Sequence, residues 1–215
     1  MPDDRIRAGM QRQLAARTAA LDAGAAHRGW KVAFATAPSR AAAGVDRSVV
    51  GFLTDATELP DGAEIAIAHW TRPTIEAELA VRVGEDLRAA AVAVAIEVVD
   101  LNLPVEQTED VLAGAIFHRH YVVGAWRVGD DASDVHVRAF VDDELVASQG
   151  DPTSLIGTPP DIVSTVAEEL RRHGERLRPG DLILGGSTIP LHPIGPGQRL
   201  RVEAGGLGAL ALTFR

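Results

Sequence analysis

The chain has 215 residues and no cysteine, and its 30 acidic side chains against 21 basic ones give a net charge of −9. This length fits one domain with a proper core, and the missing cysteine excludes disulfides, thiolate nucleophiles and cysteine-ligated metals. The acidic excess argues against nucleic acid or a membrane surface as the main partner. Lys31 is the only lysine among the basic residues.

The N-terminal residues predict a helix rather than a targeting signal. Ile6, Met10, Leu14 and Leu21 recur at near-helical spacing, and the pattern ends at Gly24. No apolar segment with a small-residue cleavage site follows the acidic start, and the longest apolar runs are too short to cross a bilayer. We therefore expect a cytoplasmic protein in which residues 1–28 form a helical segment.

From Trp30 onward the apolar pattern has a period of two residues, which is typical of strands. The predicted strands cover residues 30–35, 75–83, 92–100, 121–128, 135–141, 182–184, 198–202 and 207–214. Asp142-Asp143 and Gly205-Gly206 predict hairpin turns. One helix is predicted after Thr158, with Thr158 as its N-cap and Gly174 near its end, and a shorter one over 108–115. The sum is an α+β fold with a mixed or antiparallel sheet, in which residues 29–215 form one compact unit.

Three glutamates are candidate metal ligands. Glu76 and Glu78 project from the same face of one strand, and two buried carboxylates need a cation or a proton to compensate them. Glu97 lies in an apolar strand beside small residues, whereas Asp100 points to the other face. Such an oxygen site suits Mg²⁺ or Mn²⁺ better than zinc or copper. The open alternatives are a solvated acidic face for the pair, and a salt bridge from Glu97 to an arginine.

Short motifs recur in order along most of the chain. They are GWKV at 29–32, GVD at 44–46, IEAELA at 75–80, AIEVVD at 95–100, GDLILGGST at 180–188, PGQ at 196–198 and LG at 207–208. As an ordered set they resemble the bacterial 2-keto-4-pentenoate hydratases and 4-oxalocrotonate decarboxylases. These enzymes belong to the fumarylacetoacetate hydrolase superfamily.

The resemblance implies a mixed β-roll or sandwich core that holds Mg²⁺ or Mn²⁺ on Glu76, Glu78 and Glu97. It also implies that Lys31 faces the same pocket, where it moves a proton or anchors the substrate carboxylate, and that Ser187 and Thr188 contact the substrate. The alternatives are an ordinary surface lysine and plain turn chemistry at 187–188. The implied activity is that of a lyase of aromatic catabolism, which hydrates or decarboxylates a small 2-oxo acid or its dienol through a metal-bound enolate.

The sequence departs from the hydratase pattern in two places. Val49-Val50 stands where the hydratases usually carry an acidic residue, and residues 113–117 read Ala-Gly-Ala-Ile-Phe where they carry Ala-Asp-Asn-Ala-Ser. His118 and His120 follow directly and have the same parity. They are interpreted as catalytic acid-base groups or a metal pair near the cation, or else as residues of an exposed strand face or a subunit contact.

These departures leave two other functions open. One is hydrolysis of a C–C bond in an acylpyruvate. The other is a catalytically degenerate partner subunit that keeps the fold. We also expect a homo-oligomer, which could associate with a paralogous hydratase or decarboxylase.

Overall fold

The computed structural model describes residues 2–215, and within them it contains five α-helices and thirteen strands. The helices are α1 (Pro2–Asp22), α2 (Ala37–Ala43), α3 (Thr108–Ala113), α4 (Thr153–Ile156) and α5 (Pro159–Arg172), and a 3-10 helix covers Asp55–Thr57. The strands are β1 (His27–Ala33), β2 (Val49–Thr54), β3 (Glu64–Ile65), β4 (Pro73–Val83), β5 (Ala89–Asp100), β6 (His118–Val123), β7 (Arg127–Val128), β8 (Val137–Val141), β9 (Glu144–Gln149), β10 (Leu182–Ser187), β11 (His192–Pro193), β12 (Arg199–Ala204) and β13 (Gly208–Phe214). None of the helices over residues 2–215 is long and apolar enough to cross a membrane.

The strands form two sheets. The larger sheet has the order β2-β1-β10-β4-β5-β6, with β11 and β7 paired onto β4 and β5. Its β1 and β10 are parallel, and its other pairs are antiparallel. The smaller sheet has the order β3-β13-β12-β8-β9. The predicted α+β fold with a mixed sheet and an N-terminal helix is confirmed.

The larger sheet curls until its two ends meet. Glu58, just beyond β2, forms an isolated bridge with Tyr121 of β6, and the Leu59 amide donates to the Tyr121 carbonyl at 2.8 Å. The sheet therefore has an outer face, which packs against the smaller sheet and α5, and an enclosed inner face. Seven buried residues fill one end of the inner face: Leu53, Ala80, Ala93, Ala95, Tyr121, Leu182 and Leu184.

Helix α5 follows the sequence prediction closely. The Thr158 side chain accepts from the Asp161 amide and the Asp161 side chain accepts from the Thr158 amide, so the two residues form a capping box. Pro159 occupies the first helical position.

Helix α1 is fixed by a buried glutamine. Gln13 of α1 donates to the carbonyls of Leu112 (2.7 Å) and Val50 (3.2 Å). Helix α1 is thereby joined to α3 and to the larger sheet.

Several details of the fold differ from the sequence predictions. The strand predicted over 121–128 is two strands, because β6 ends at Val123 and β7 begins at Arg127. A Cβ on the intervening Gly124 would lie 2.8 Å from Val94 Cγ1, so the chain passes too close to β5 for a side chain there. Strands β2, β3, β9 and β11 and helices α2 and α4 were not predicted. Helix α2 lacks an apolar stripe and is defined by its ends, a capping box at Thr36 and a left-handed Gly44.

Candidate active site

Three carboxylates meet at the end of the inner face opposite the apolar cluster. Glu76 of β4 lies directly across from Glu97 of β5, and Glu78 is two residues further along the same face. One oxygen of each lies within 4.8 Å of the others. Glu78 and Glu97 are fully buried and Glu76 is partly buried. A solvated acidic face is therefore wrong for this pair.

Lys31 reaches these carboxylates from β1. Its Nζ donates to Glu97 Oε1 at 2.5 Å and to the Ile116 carbonyl at 3.1 Å, and the residue is only 2% exposed. Gly51 of β2 lies opposite, and a Cβ there would come within 2.9 Å of Lys31 Cγ. The missing side chain at Gly51 thus leaves space for the lysine stem. The alternative that Lys31 is an ordinary surface lysine is therefore wrong. The alternative that Glu97 forms a salt bridge with an arginine is also wrong, because its partner is Lys31.

The two histidines of β6 lie on opposite faces of the sheet. A β-bulge shifts the register so that His118 pairs with Val99 and His120 with Val98. His118 Nδ1 is 2.6 Å from Glu97 Oε1, and its Nε2 is 3.0 Å from Thr57 Oγ1. His120 instead stacks on Trp70.

The shared parity of His118 and His120 was therefore a wrong guide to their positions. An exposed strand face is also wrong for His118, which is buried. The bulge gives β6 one extra residue, and this residue separates two side chains that a regular strand would place together. Only His118 of the two is brought into contact with the carboxylates.

A strained turn supplies the second partner of Lys31. Ala115, Ile116 and Phe117 have φ values of 53°, 55° and 65°, a left-handed run that costs each non-glycine residue about 1 kcal/mol or more. Backbone hydrogen bonds hold it in place, from the Ile116 amide to the Val111 carbonyl and from the Asp100 amide to the Phe117 carbonyl. The turn thereby presents the Ile116 main-chain carbonyl to Lys31.

The charges in this cluster are unbalanced. Burial and the charge of Glu97 raise the pKa of Glu76 to about 7, and burial with the charges of Glu97 and Glu76 raises the pKa of Glu78. Burial opposes ionisation of Glu97 as well, but Lys31 and His118 lower its pKa. Burial would lower the pKa of Lys31, yet the three carboxylates together raise it. One lysine therefore faces three carboxylates.

The donor set fits a hard divalent cation. Glu78 Oε2 accepts from the Gly186 amide at 2.9 Å, while Glu78 Oε1 and Glu97 Oε2 are buried without a hydrogen-bond partner within residues 2–215. Buried oxygens without partners are costly. A cation of the Mg²⁺, Mn²⁺ or Ca²⁺ type, which prefers carboxylate oxygens, would satisfy both.

A cavity of about 780 Å³ opens beside the carboxylates. Lys31 and Glu76 line it together with apolar side chains such as Phe34, Leu103 and Phe117. The predicted substrate-contacting residues also line it. The Ser187 hydroxyl donates to the Ile189 carbonyl at 2.9 Å and the Thr188 hydroxyl donates to the Ala77 carbonyl at 2.7 Å. Ser187 and Thr188 therefore stabilise the local backbone with their hydroxyl groups and also line the cavity.

Several residues of the site were not singled out from the sequence. No sequence pattern marks Thr57 or Ile116 as a site residue, because their contacts with His118 and Lys31 depend on the curl of the sheet and on the strained turn. Gly51 could have been found from the sequence, since a glycine inside a strand often marks the close approach of another group. Arg72 lines the same cavity and reads in sequence as an ordinary loop residue.

Comparisons with known proteins agree with the fold described above. The family model "Fumarylacetoacetate (FAA) hydrolase C-terminal" matches residues 23–215. A 4-oxalocrotonate decarboxylase from Pseudomonas sp is 29% identical over 212 residues, covering 90% of this chain and 80% of that protein. The 2-keto-4-pentenoate hydratase 1 of Dechloromonas aromatica (strain RCB) is 28% identical over 209 residues, covering 86% and 77%. The solved structure of 4-oxalocrotonate decarboxylase from Pseudomonas putida G7, complexed with calcium and acetate, has a TM-score of 0.85 at 24% identity, covering 94% of this chain and 83% of that one.

Proposed function

The chain belongs to the fumarylacetoacetate hydrolase family, and on that premise we propose that it is a divalent-metal-dependent lyase that hydrates or decarboxylates a small 2-oxo acid or its dienol. The observation that carries this proposal is the set of three carboxylates with two unpartnered oxygens at the wall of a cavity. The decarboxylase and hydratase relatives support the same reaction class.

Glu76, Glu78 and Glu97 are the proposed ligands of Mg²⁺ or Mn²⁺. When bound there, the cation would act as a Lewis acid that stabilises negative charge on a substrate oxygen. Lys31 and His118 both engage Glu97 Oε1, which leaves Oε2 as the free oxygen of that carboxylate. We therefore assign His118 a positioning role, in which it fixes the orientation of Glu97.

Lys31 is the proposed catalytic residue. Its ammonium group lies at the cavity wall and keeps its proton while the neighbouring carboxylates are ionised, because their charges raise its pKa. From this position it can donate a proton to the substrate or hold the substrate carboxylate. Ser187 and Thr188 would contact the substrate through oxygen lone pairs, since both hydroxyls already donate to carbonyl groups. His120 is not part of the proposed site, because it lies on the outer face.

Burial argues against the reading of the chain as an inactive partner subunit. A subunit that only preserved the fold would gain nothing from buried carboxylates whose charges are not balanced, because such groups destabilise a folded chain. Oxalate and pyruvate are suitable calorimetric probes of this point. Absence of both divalent-ion binding and affinity for these acids would favour the inactive subunit.

Assembly and cellular location remain proposals. We propose a homo-oligomer, as the resemblance to the hydratases and decarboxylases implies. Light scattering of the purified protein would test this proposal, and co-purification with a paralogous hydratase or decarboxylase would test a mixed complex. A cytoplasmic location stays a prediction from the sequence.

The direct test is turnover of 2-hydroxypenta-2,4-dienoate and 4-oxalocrotonate with added Mg²⁺ or Mn²⁺. We expect the wild-type protein to convert at least one of them, and the Glu78→Gln and Lys31→Ala variants to lose most of that activity. Glu85→Gln is the matched control, because Glu85 is exposed in the turn between β4 and β5. Equal activity in all four proteins would refute the assignment.

Product analysis then separates the reaction branches. Hydration retains all carbons of the substrate, and decarboxylation releases carbon dioxide. Hydrolysis of an acylpyruvate gives two acids, and this outcome would replace the lyase proposal by a hydrolase.

A further inference from the structure

One charged residue of the cavity has no role in the site described above. Apart from Lys31 and Glu76, Arg72 is the only charged side chain among the described residues that line this cavity. Its guanidinium group has no hydrogen-bond or ion-pair partner within residues 2–215, and the residue is exposed. Lys31, in contrast, already donates to Glu97 and Ile116. Arg72 is therefore the cation of this cavity lining whose side-chain donors are all unused within residues 2–215.

The backbone of Arg72 is held firmly although its side chain is free. Asp100 Oδ1 accepts from the amides of Thr71 at 3.0 Å and Arg72 at 2.8 Å, and the Leu101 amide donates to the Arg72 carbonyl at 3.1 Å. The other Asp100 oxygen lies 3.5 Å from Arg119 Nη2. The nearby carboxylate is thus occupied by backbone amides and by another arginine, which leaves the charge of Arg72 uncompensated.

The position of Arg72 relative to the carboxylates suits a long ligand. Arg72 directly precedes β4, four residues before Glu76, and both residues line the cavity. The strand rise sets the two Cα atoms about 13 Å apart. The cavity wall also contains the apolar side chains of Leu101, Leu103 and Phe117. A ligand that reached from the carboxylates to Arg72 would therefore combine a hydrocarbon chain with an anionic group at its end.

We propose that Arg72 binds a second carboxylate, at the far end of a linear 2-oxo dicarboxylic acid whose 2-oxo acid end lies at Glu76 and Lys31. This inference rests on the proposed function and specifies its substrate class. An arginine fork can bind a carboxylate through two parallel hydrogen bonds. A monocarboxylic substrate would leave the guanidinium group without that partner, so Arg72 selects dicarboxylates.

The test compares 2-oxoadipate with 2-oxohexanoate, which have the same chain length and differ only in the terminal carboxylate. Their dissociation constants are measured by calorimetry with saturating Mg²⁺. We expect wild-type protein to bind 2-oxoadipate about tenfold more tightly or better, as a charged hydrogen-bonded pair would give. In Arg72→Gln the two acids should bind within about twofold of each other, with 2-oxohexanoate unaffected, and Arg72→Lys should keep part of the preference.

Arg88→Gln is the matched control for loss of one positive charge. Arg88 lies in the turn at the opposite end of β4, with its side chain 85% exposed, so this variant should keep the wild-type preference. Equal affinity for both acids in the wild type, or a preference that survives in Arg72→Gln, would overturn the inference and leave the proposed function standing. If neither acid binds in the presence of Mg²⁺, both are overturned.

Discussion

The two ends of the inner face are built from the same strands and have opposite chemistry. Along β4 the face passes from Glu76 and Glu78 to Ala80, and along β5 it passes from Glu97 to Ala95 and Ala93. The apolar end is closed by Tyr121 and by leucines, all of them buried. The charged end borders the cavity, which Lys31 and Glu76 line.

This contrast explains why the carboxylates are perturbed. The alanines of the apolar end carry no polar side-chain group that could compensate the glutamates. Within residues 2–215 the carboxylates are instead compensated by Lys31, His118 and the Gly186 amide, and a cation from the cavity side would add to these. Because the apolar end offers the carboxylates no compensating group, their full ionisation depends on a bound cation.

Making the charged end apolar should break this contrast most strongly. Lys31→Met leaves Glu97 without its ammonium partner, so we expect the metal-free protein to lose about 3–5 kcal/mol of unfolding free energy. Urea titration measures this loss. The double variant Lys31→Met/Glu97→Gln should recover part of it, because both buried charges are then removed. An unchanged midpoint in Lys31→Met would contradict the importance assigned to the pair.

Exchanging the two histidines separately compares the faces of β6. His118→Gln removes one of the two groups that orient Glu97, and we expect Mg²⁺ or Mn²⁺ affinity to fall by about 10- to 100-fold. His120→Gln is the matched control and should change it less than about twofold, because His120 stacks on Trp70 at the outer face. Calorimetric titration of the metal measures both. Equal losses would argue against the bulge as the device that separates them.

The pH dependence tests whether a proton and a cation compete for the charged end. The folded protein holds the proton of Glu76 up to a pKa of about 7, above the ordinary value of 4.5. The stability of the metal-free protein should therefore fall as pH rises between these two values. Because the metal requires the ionised form, Mg²⁺ affinity should rise about tenfold from pH 6 to pH 8. Flat affinity over this range would rule out such competition.

The smallest change concerns the space that Gly51 leaves for Lys31. A Cβ in Gly51→Ala would press on the lysine stem at 2.9 and 3.1 Å, and we expect a loss of about 1–3 kcal/mol and reduced turnover. Gly114→Ala is the matched control, because its φ is −86° and its nearest contact would be 3.5 Å away. Thermal melts and turnover of both variants check the difference. Similar melts and rates would show that the lysine stem does not need this space.

Sequence patterns predicted the positions of site residues correctly where a strand is regular. They failed where a β-bulge adds one residue to a strand. The period of two residues placed Glu76 and Glu78 on one face and separated Asp100 from Glu97, and the structure agrees in both cases. The same rule failed at His118 and His120, because a bulge depends on the neighbouring strand. Residues 115–117 were equally hidden, since Ala-Ile-Phe is not a turn sequence and the conformation is enforced from outside.

The left-handed turn at 115–117 bears on how this protein could adapt to heat. Ala115 occupies a conformation that glycine adopts without strain, so Ala115→Gly would relieve part of the cost while adding freedom to the unfolded chain. The relief would come at the segment whose Ile116 carbonyl holds Lys31. The residue at position 115 therefore affects the stability of the chain and the placement of Lys31 together.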